Sequence, residues 1–315
     1  MSSPEVFTFG ETMALFSADS PGPLANATSC SVGIGGAESN TAVALRRLGH
    51  TVQWTGRVGD DPLGELVAQR LLGEGLDQPV IDPDATTGTM IREQRTPDHL
   101  RITYWRRGSA GSRLHIDDLD LARLKAARFL HITGISPALS ASAHHATVEA
   151  VRVARQAGVQ VSLDLNYRAA LWSPEEAGRM YAELAPLADI LFCSDTEAAL
   201  LVGNADSLTT TLDRLAGLGP REVIVKRGHD GCLARLEGQT FSEPAQRVTV
   251  VNTVGAGDAF NAGYLSGRLD QESPQASLSR AAAVAAFVCM AAGDWEGAPR
   301  RKELRLLSSA DSVVR

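Results

Sequence analysis

The segment Asn252-Thr253-Val254-Gly255-Ala256-Gly257-Asp258-Ala259-Phe260 runs a glycine-rich turn into an alanine-rich helical pattern and leaves one acid at the junction. Glycines at 255 and 257 let backbone approach a ligand closely, and the first amides of a helix lack intrahelical partners, so they can donate to a phosphate. Asp258 then stands beside that charge. A carboxylate so placed can take the proton of an attacking hydroxyl while the amides of Gly255, Ala256 and Gly257 stabilise a transferring phosphoryl group. The plainer reading is a helix start with an acid favoured by the helix dipole. A second cluster, Asp164-Leu165-Asn166-Tyr167-Arg168, sets three polar side chains at alternate positions. The planar guanidinium of Arg168 suits an oxyanion, whereas Asp164 and Asn166 also serve as ordinary turn formers.

The elements that must position these residues alternate between short apolar strands and longer helical patterns. Phe129–Ile132, Val159–Asp164, Ile190–Cys193 and Glu222–Lys226 read as strands, each followed by a polar or glycine-bearing turn. Ser173-Pro174-Glu175-Glu176 supplies a helix cap, a proline at the first position and first-turn acids. Repeated βα units imply a mainly parallel sheet covered by helices, with ligands at the carboxyl ends of its strands, where Asp164, Ser194, Lys226 and the Gly255 turn fall. Two regions break the rhythm, at about 9–34 and 87–114, and read as extended strands.

The 315 residues carry 44% hydrophobic and 21% charged residues with a net charge of -7, the profile of an ordinary globular protein. Interspersed charges argue against a nucleic-acid partner. The first ten residues contain no export signal, and the longest apolar run, Ala281–Ala292, is far short of the ~20 residues that span a bilayer, so no membrane role and a cytoplasmic location are expected. Cys30, Cys193, Cys232 and Cys289 lack metal-ligand spacing and read as buried thiols. Adjacent His144 and His145 point to different helix faces, which makes them surface rather than metal ligands. Neither a Gly-Lys-Ser/Thr phosphate loop nor a dinucleotide fingerprint is present, since Glu38 stands where the third glycine after Gly33 and Gly35 would be.

The Asn252–Asp258 segment resembles the C-terminal signature of the ribokinase-like (PfkB) carbohydrate kinases, usually Asp-Thr-x-Gly-Ala-Gly-Asp. Gly33–Ala42 with Leu45–Gly49 is similar to the first signature, Gly56–Gly64 to the loop after it, and Lys226–Gly231 to the nucleotide loop, all in the family's order. Asn252 departs from the usual Asp. The resemblance implies one kinase domain over 1–315 with a ribokinase-like three-layer α/β/α fold, its two irregular segments forming a small β lid over the sugar. It implies ATP and Mg²⁺ as cofactors, with Asn166, Tyr167 and Arg168 near the phosphates and Lys226, Arg227, Gly228, His229, Asp230 and Gly231 around the nucleotide. Ser194 and Glu197 occupy the place of an Asn-x-x-Glu segment that organises the metal region. No direct metal ligand is assigned, and Glu197 would act through water.

Tyr104-Trp105-Arg106-Arg107-Gly108-Ser109-Ala110 is similar to the Tyr-Tyr-Arg-x-Gly-Ser-Ala segment of the family branch that phosphorylates 2-keto-3-deoxygluconate. By that resemblance Tyr104 and Arg106 reach the sugar acid's carboxylate, Gly36, Ala37 and Asn40 flank its hydroxyls, and Asp294 is a further substrate-side acid. Lid packing also accounts for Tyr104 and Arg106, and a helix-ending Gly-Asp pair accounts for Asp294. The expected reaction is ATP-dependent phosphorylation of O6 of 2-keto-3-deoxygluconate, with Asp258 as base and Arg168 bridging phosphate and substrate. The alternatives are a kinase for a neutral sugar such as fructose and, given Asn252 and Ser194, a silent sugar sensor. An exposed lid face is expected to support a homo-oligomer.

Overall fold

The computed structural model describes residues 3–96 and 99–307, so Met1, Ser2, and Pro97 and Asp98 of the expected lid segment lie outside the described residues. The chain enters a central sheet with β1 (Val6–Phe9), leaves it for β2 (Met13–Ala18) and β3 (Cys30–Gly35), and returns through α1 (Ala37–Arg47) to β4 (Val52–Thr55). A small parallel pair, β5 (Arg57–Gly59) and β6 (Val80–Asp82), flanks α2 (Pro62–Gly73). Then come β7 (Thr89–Thr96), β8 (His99–Trp105) and α3 (Leu121–Lys125). Alternation follows through β9 (Phe129–Thr133), α4 (Ala141–Ala157), β10 (Gln160–Asp164), α5 (Pro174–Leu184), β11 (Ile190–Ser194), α6 (Asp195–Val202), α7 (Leu208–Ala216) and β12 (Glu222–Lys226). The hairpin β13 (Cys232–Leu236) and β14 (Gln239–Glu243) precedes α8 (Ala256–Leu269) and α9 (Pro274–Cys289).

The eight-stranded central sheet runs β14-β13-β12-β11-β10-β9-β1-β4, parallel from β4 to β12 and antiparallel only through the terminal hairpin. Both faces are covered because side chains alternate along each strand. Ile190 and Phe192 of β11 enter the core shared with α1, α8 and α9, while Leu191 and Cys193 enter the core shared with α4 and α5. This is the expected three-layer α/β/α arrangement. The strand expectations hold to within one residue, and Ser173 caps α5 with a reciprocal bond from Glu176, as its sequence indicates. The apolar run at 281–292 lies largely in α9, and among the described residues no helix is long and apolar enough to cross a membrane.

The strands of the two irregular regions form a separate four-stranded sheet, β3-β2-β7-β8. Its inner face is apolar, with Met13, Leu15 and Met90 packed against Ile102 and Tyr104. Phe9 does not belong to it. That fully buried ring ends β1 and pairs with Thr55, so this sheet starts at Met13. Two thiols also depart from expectation: Cys193 and Cys232 are buried, but Cys289 is only partly buried and Cys30 opens an outer strand and is exposed.

Candidate active site

Parallel register brings the ends of neighbouring strands together. Asp164 pairs with Phe192 and Ser194 with Lys226, so three polar residues separated in sequence meet at one edge of the sheet. Above that edge lies a cavity of about 420 Å³, walled by the lid side chains Met13, Met90, Ile102, Tyr104 and Arg106 and floored by Gly36, Ala37, Asn40, Asp164, Lys226 and Asp258.

Gly255 caps α8 with φ of 80°, in the left-handed region that glycine enters without strain, and the first turn of the helix points its amides at the cavity. The amides of Gly255, Gly257 and Asp258 have no protein partner among the described residues, whereas Ala256 donates to the Thr253 carbonyl at 3.2 Å. Ala256 therefore does not contribute the free donor expected of it, because the turn that precedes the helix consumes it. Asp258 is buried and accepts Asn40 Nδ2 at 2.8 Å on Oδ2, with Thr41 Oγ1 donating to its carbonyl at 3.2 Å. Burial pushes its carboxyl up to about 7, nearby Asp164 adds to the rise, and Asn40, Arg168 and Lys226 oppose it. A base with that proton affinity is matched to neutral pH.

Beside it sits a second buried carboxylate. Asp164 Oδ2 accepts Lys226 Nζ at 2.8 Å and Asn261 Nδ2 at 2.7 Å. Asn261 lies three residues after Asp258 on α8, on the same helix face. Asn166 adopts φ of 42°, a conformation asparagine tolerates, and turns its side chain toward the cavity. The buried oxygens Asn40 Oδ1, Asp164 Oδ1, Asn166 Oδ1 and Glu38 Oε2 have no partner among the described residues. All four residues line the cavity, which is thus rich in acceptors and suits a ligand rich in hydroxyl donors.

Glu197 closes a capping box at the start of α6, accepting Ser194 N at 2.8 Å and Tyr167 N at 2.7 Å. Tyr167 itself turns away from the cavity: its hydroxyl donates to the Trp172 carbonyl at 3.2 Å and its ring packs on the core. Only its backbone serves this region. Arg168 lines the cavity mouth, is exposed, donates to the Tyr167 carbonyl at 3.1 Å, and pairs with no acid among the described residues. Of the 226–231 segment, Lys226 alone lines the cavity. Arg227, Gly228, His229, Asp230 and Gly231 form the exposed hairpin turn between β12 and β13, with Arg227 near Asp195 and Asp230.

The lid arginines are already engaged. Arg106 Nε and Nη2 donate to Glu11 Oε2 at 2.7 and 2.5 Å, and Ser109 Oγ donates to Glu11 Oε1. Nη1 has no bond among the described residues. Arg92 Nη1 meets Asp294 Oδ1 at 2.6 Å; burial pushes the Asp294 carboxyl up to about 6, opposed by Arg92 and assisted by Glu296. Glu38, fully buried with no cation in contact, accepts Thr133 Oγ1 at 2.7 Å and Ser136 Oγ at 2.8 Å, and burial raises its carboxyl. Sequence reasoning missed Glu11, Glu38, Arg92 and Asn261 as site residues. Signals existed for Glu11, which follows the carboxyl end of a central strand, and for Asn261, one helical turn after Asp258.

Among the described residues no three His, Cys, Asp or Glu side chains gather as a metal cage. The oxygen donors on hand, Glu197 and the partnerless Asn166 Oδ1, fit a hard divalent cation held mainly by phosphate oxygens and water.

Residues 3–301 match the model of the pfkB family carbohydrate kinases. The chain is 35% identical to the 2-dehydro-3-deoxygluconokinase of Bacillus subtilis over 98% of this chain and 97% of that one. It is 33% identical to the 2-dehydro-3-deoxygalactonokinase of Haloferax volcanii, over 98% of each. Its fold is also similar to that of a fructokinase from Vibrio cholerae O395 solved with fructose, ADP and calcium, with a TM-score of 0.86 and 26% identity over 97% of this chain and 99% of that one. Matched by the family model over nearly its whole length, the chain belongs to the pfkB family of carbohydrate kinases.

Proposed function

We propose that this protein transfers the terminal phosphoryl group of ATP to O6 of 2-keto-3-deoxygluconate, in the cytoplasm and as one kinase unit whose separate four-stranded sheet is the lid. The observation that carries this reading is Asp258: a buried carboxylate tuned to about 7, next to unpartnered helix-start amides and facing an acceptor-rich cavity. The 2-dehydro-3-deoxy sugar-acid kinases among its relatives support the substrate class.

In this mechanism Asn40 orients Asp258 through its 2.8 Å bond, and Asp258 takes the proton of the attacking hydroxyl. The amides of Gly255, Gly257 and Asp258 receive the charge that develops on the migrating group. Arg168, which pairs with no acid among the described residues, bridges phosphate and substrate. Lys226 is held by Asp164 and Asn261 within reach of Gly257 and adds positive charge to the same side. Asn166, and Glu197 through water, would help hold Mg²⁺, which when bound would supply charge neutralisation on the nucleotide phosphates. Tyr104 and the free Nη1 edge of Arg106 receive the substrate carboxylate, and the lid excludes water that would compete with the sugar hydroxyl. Val32, Leu100 and Trp105, exposed on the lid sheet, support a homo-oligomer.

The Glu11–Arg106 pair favours one rival. Because Glu11 neutralises that arginine, the lid also suits a neutral sugar such as fructose. An assay of ADP release with Mg-ATP across 2-keto-3-deoxygluconate, 2-keto-3-deoxygalactonate, fructose and ribose decides between them. Preference for the keto acids is expected. Preference for fructose would keep the phosphoryl chemistry and overturn the roles of Tyr104 and Arg106.

A further inference from the structure

A buried ion pair stands between the sugar cavity and a second cleft of about 920 Å³ that lies farther along the same face of the lid sheet. Its cation, Arg92, comes from lid strand β7, is 7% exposed, and does not line the sugar cavity. Each edge of the guanidinium is engaged. Nε donates to Ser17 Oγ at 2.8 Å on the neighbouring lid strand, Nη1 to Asp294 Oδ1 at 2.6 Å, and Nη2 to the Ala292 carbonyl at 2.9 Å. The gripped loop is itself tied to the phosphoryl cradle. Asn252 Nδ2 donates to the Gly293 carbonyl at 3.0 Å while its Oδ1 accepts Val254 N at 3.1 Å. The Asp294 carbonyl fills the space into which any side chain at Gly255 would project.

From these contacts we propose that Arg92 is a positioning residue: a strut that fixes loop 292–294, and through it the Gly255–Asp258 amides and the cavity face of Asp294, to the lid sheet. The inference rests on the kinase reading above but not on which sugar is used. A planar fork is what the geometry demands, because three partners lie in different directions around one group. Lysine can keep the charge on Asp294 but cannot span all three. Placement errors of about 1 Å at a reacting group cost up to roughly 100-fold in rate, so the strut is expected to act on turnover more than on sugar affinity.

The test compares Arg92→Lys, Arg92→Met and Arg92→Met/Asp294→Asn with Asp294→Asn and the unaltered protein. Arg92→Met should lower kcat roughly 10- to 100-fold with a smaller rise in KM, and should release ADP in excess of phosphorylated sugar. Arg92→Lys should recover only part of the loss. The double variant relieves the stranded carboxylate and should regain melting temperature without regaining turnover. Amide hydrogen exchange at Val254 and Ala256, the hydrogen-bonded amides within 253–258, should quicken in every Arg92 variant, a readout independent of activity. Exchange unchanged from the unaltered protein would overturn the strut even if no acceptor were found, as would double-variant turnover equal to that of Asp294→Asn alone. If the unaltered protein phosphorylates no acceptor while exchange at Val254 and Ala256 quickens in the variants, the proposed function fails and the strut stands.

Discussion

Asp258 is costly to the fold in the ionised state that the proposed chemistry requires, and Asp258→Asn should expose that cost. Its carboxyl lies at about 7 in the folded protein against a reference of 3.8, chiefly through burial. At about 1.4 kcal/mol per tenfold in proton affinity, that rise corresponds to roughly 4 kcal/mol, an upper bound for the penalty of keeping it ionised. The sign follows from proton binding: between pH 4 and 7 the folded state holds the proton more tightly than the unfolded chain, so stability falls as pH rises through this window. Above the folded value the whole penalty applies. Asparagine cannot ionise, and its amide oxygen can still accept from Asn40. Urea unfolding at pH 8 should therefore find Asp258→Asn more stable by about 1–4 kcal/mol, and the difference should shrink toward zero by pH 4. Turnover should move the other way, falling by roughly 10²–10⁴ as expected for loss of a general base, and kcat/KM of the unaltered enzyme should rise with pH through about 7. A stability difference that is flat with pH would refute the buried, ionised carboxylate. Turnover near that of the unaltered enzyme would remove Asp258 from the role of base.

Gly255→Ala puts a Cβ into the Asp294 carbonyl at a φ of 80°, so it should cost about 1–3 kcal/mol in thermal unfolding and lower kcat more than the sugar KM. Lys226→Met strands the Asp164 carboxylate, which is only 1% exposed, and should destabilise by about 3–5 kcal/mol in urea, with partial recovery in Lys226→Met/Asp164→Asn. Arg106→Gln combined with Glu11→Gln removes the lid cation without leaving its buried partner unpaired. It should raise KM for a keto acid about tenfold or more, the worth of one charge-assisted bond, and leave a neutral sugar within about twofold. Equal effects on both sugars would show that Arg106 reads no carboxylate.

Much of this architecture is local in origin and therefore legible in the chain. The strands at 129–133, 160–164, 190–194 and 222–226 carry their own apolar runs and terminal polar residues. Ser173 caps its helix with groups three residues away. The cradle is a turn and a first helical turn, so nine consecutive residues suffice to suggest it. Ala256 shows where such reading fails, since whether an amide is free depends on which carbonyl the turn brings beneath it.

What the sequence alone determined is a set of candidate groups and the element ends that carry them: Asp258 after its glycines, Asn166 and Arg168 after β10, Lys226 closing β12. Tertiary structure alone decided how those groups are charged and oriented. Asn40 reaches Asp258 across 218 positions, Arg92 reaches Asp294 across 202, and Glu11 neutralises Arg106 across 95. A side chain's proton affinity depends on burial and on the charges packed against it. Those neighbours come from segments that meet only when the sheet, its helices and the lid are assembled, so no local pattern encodes them.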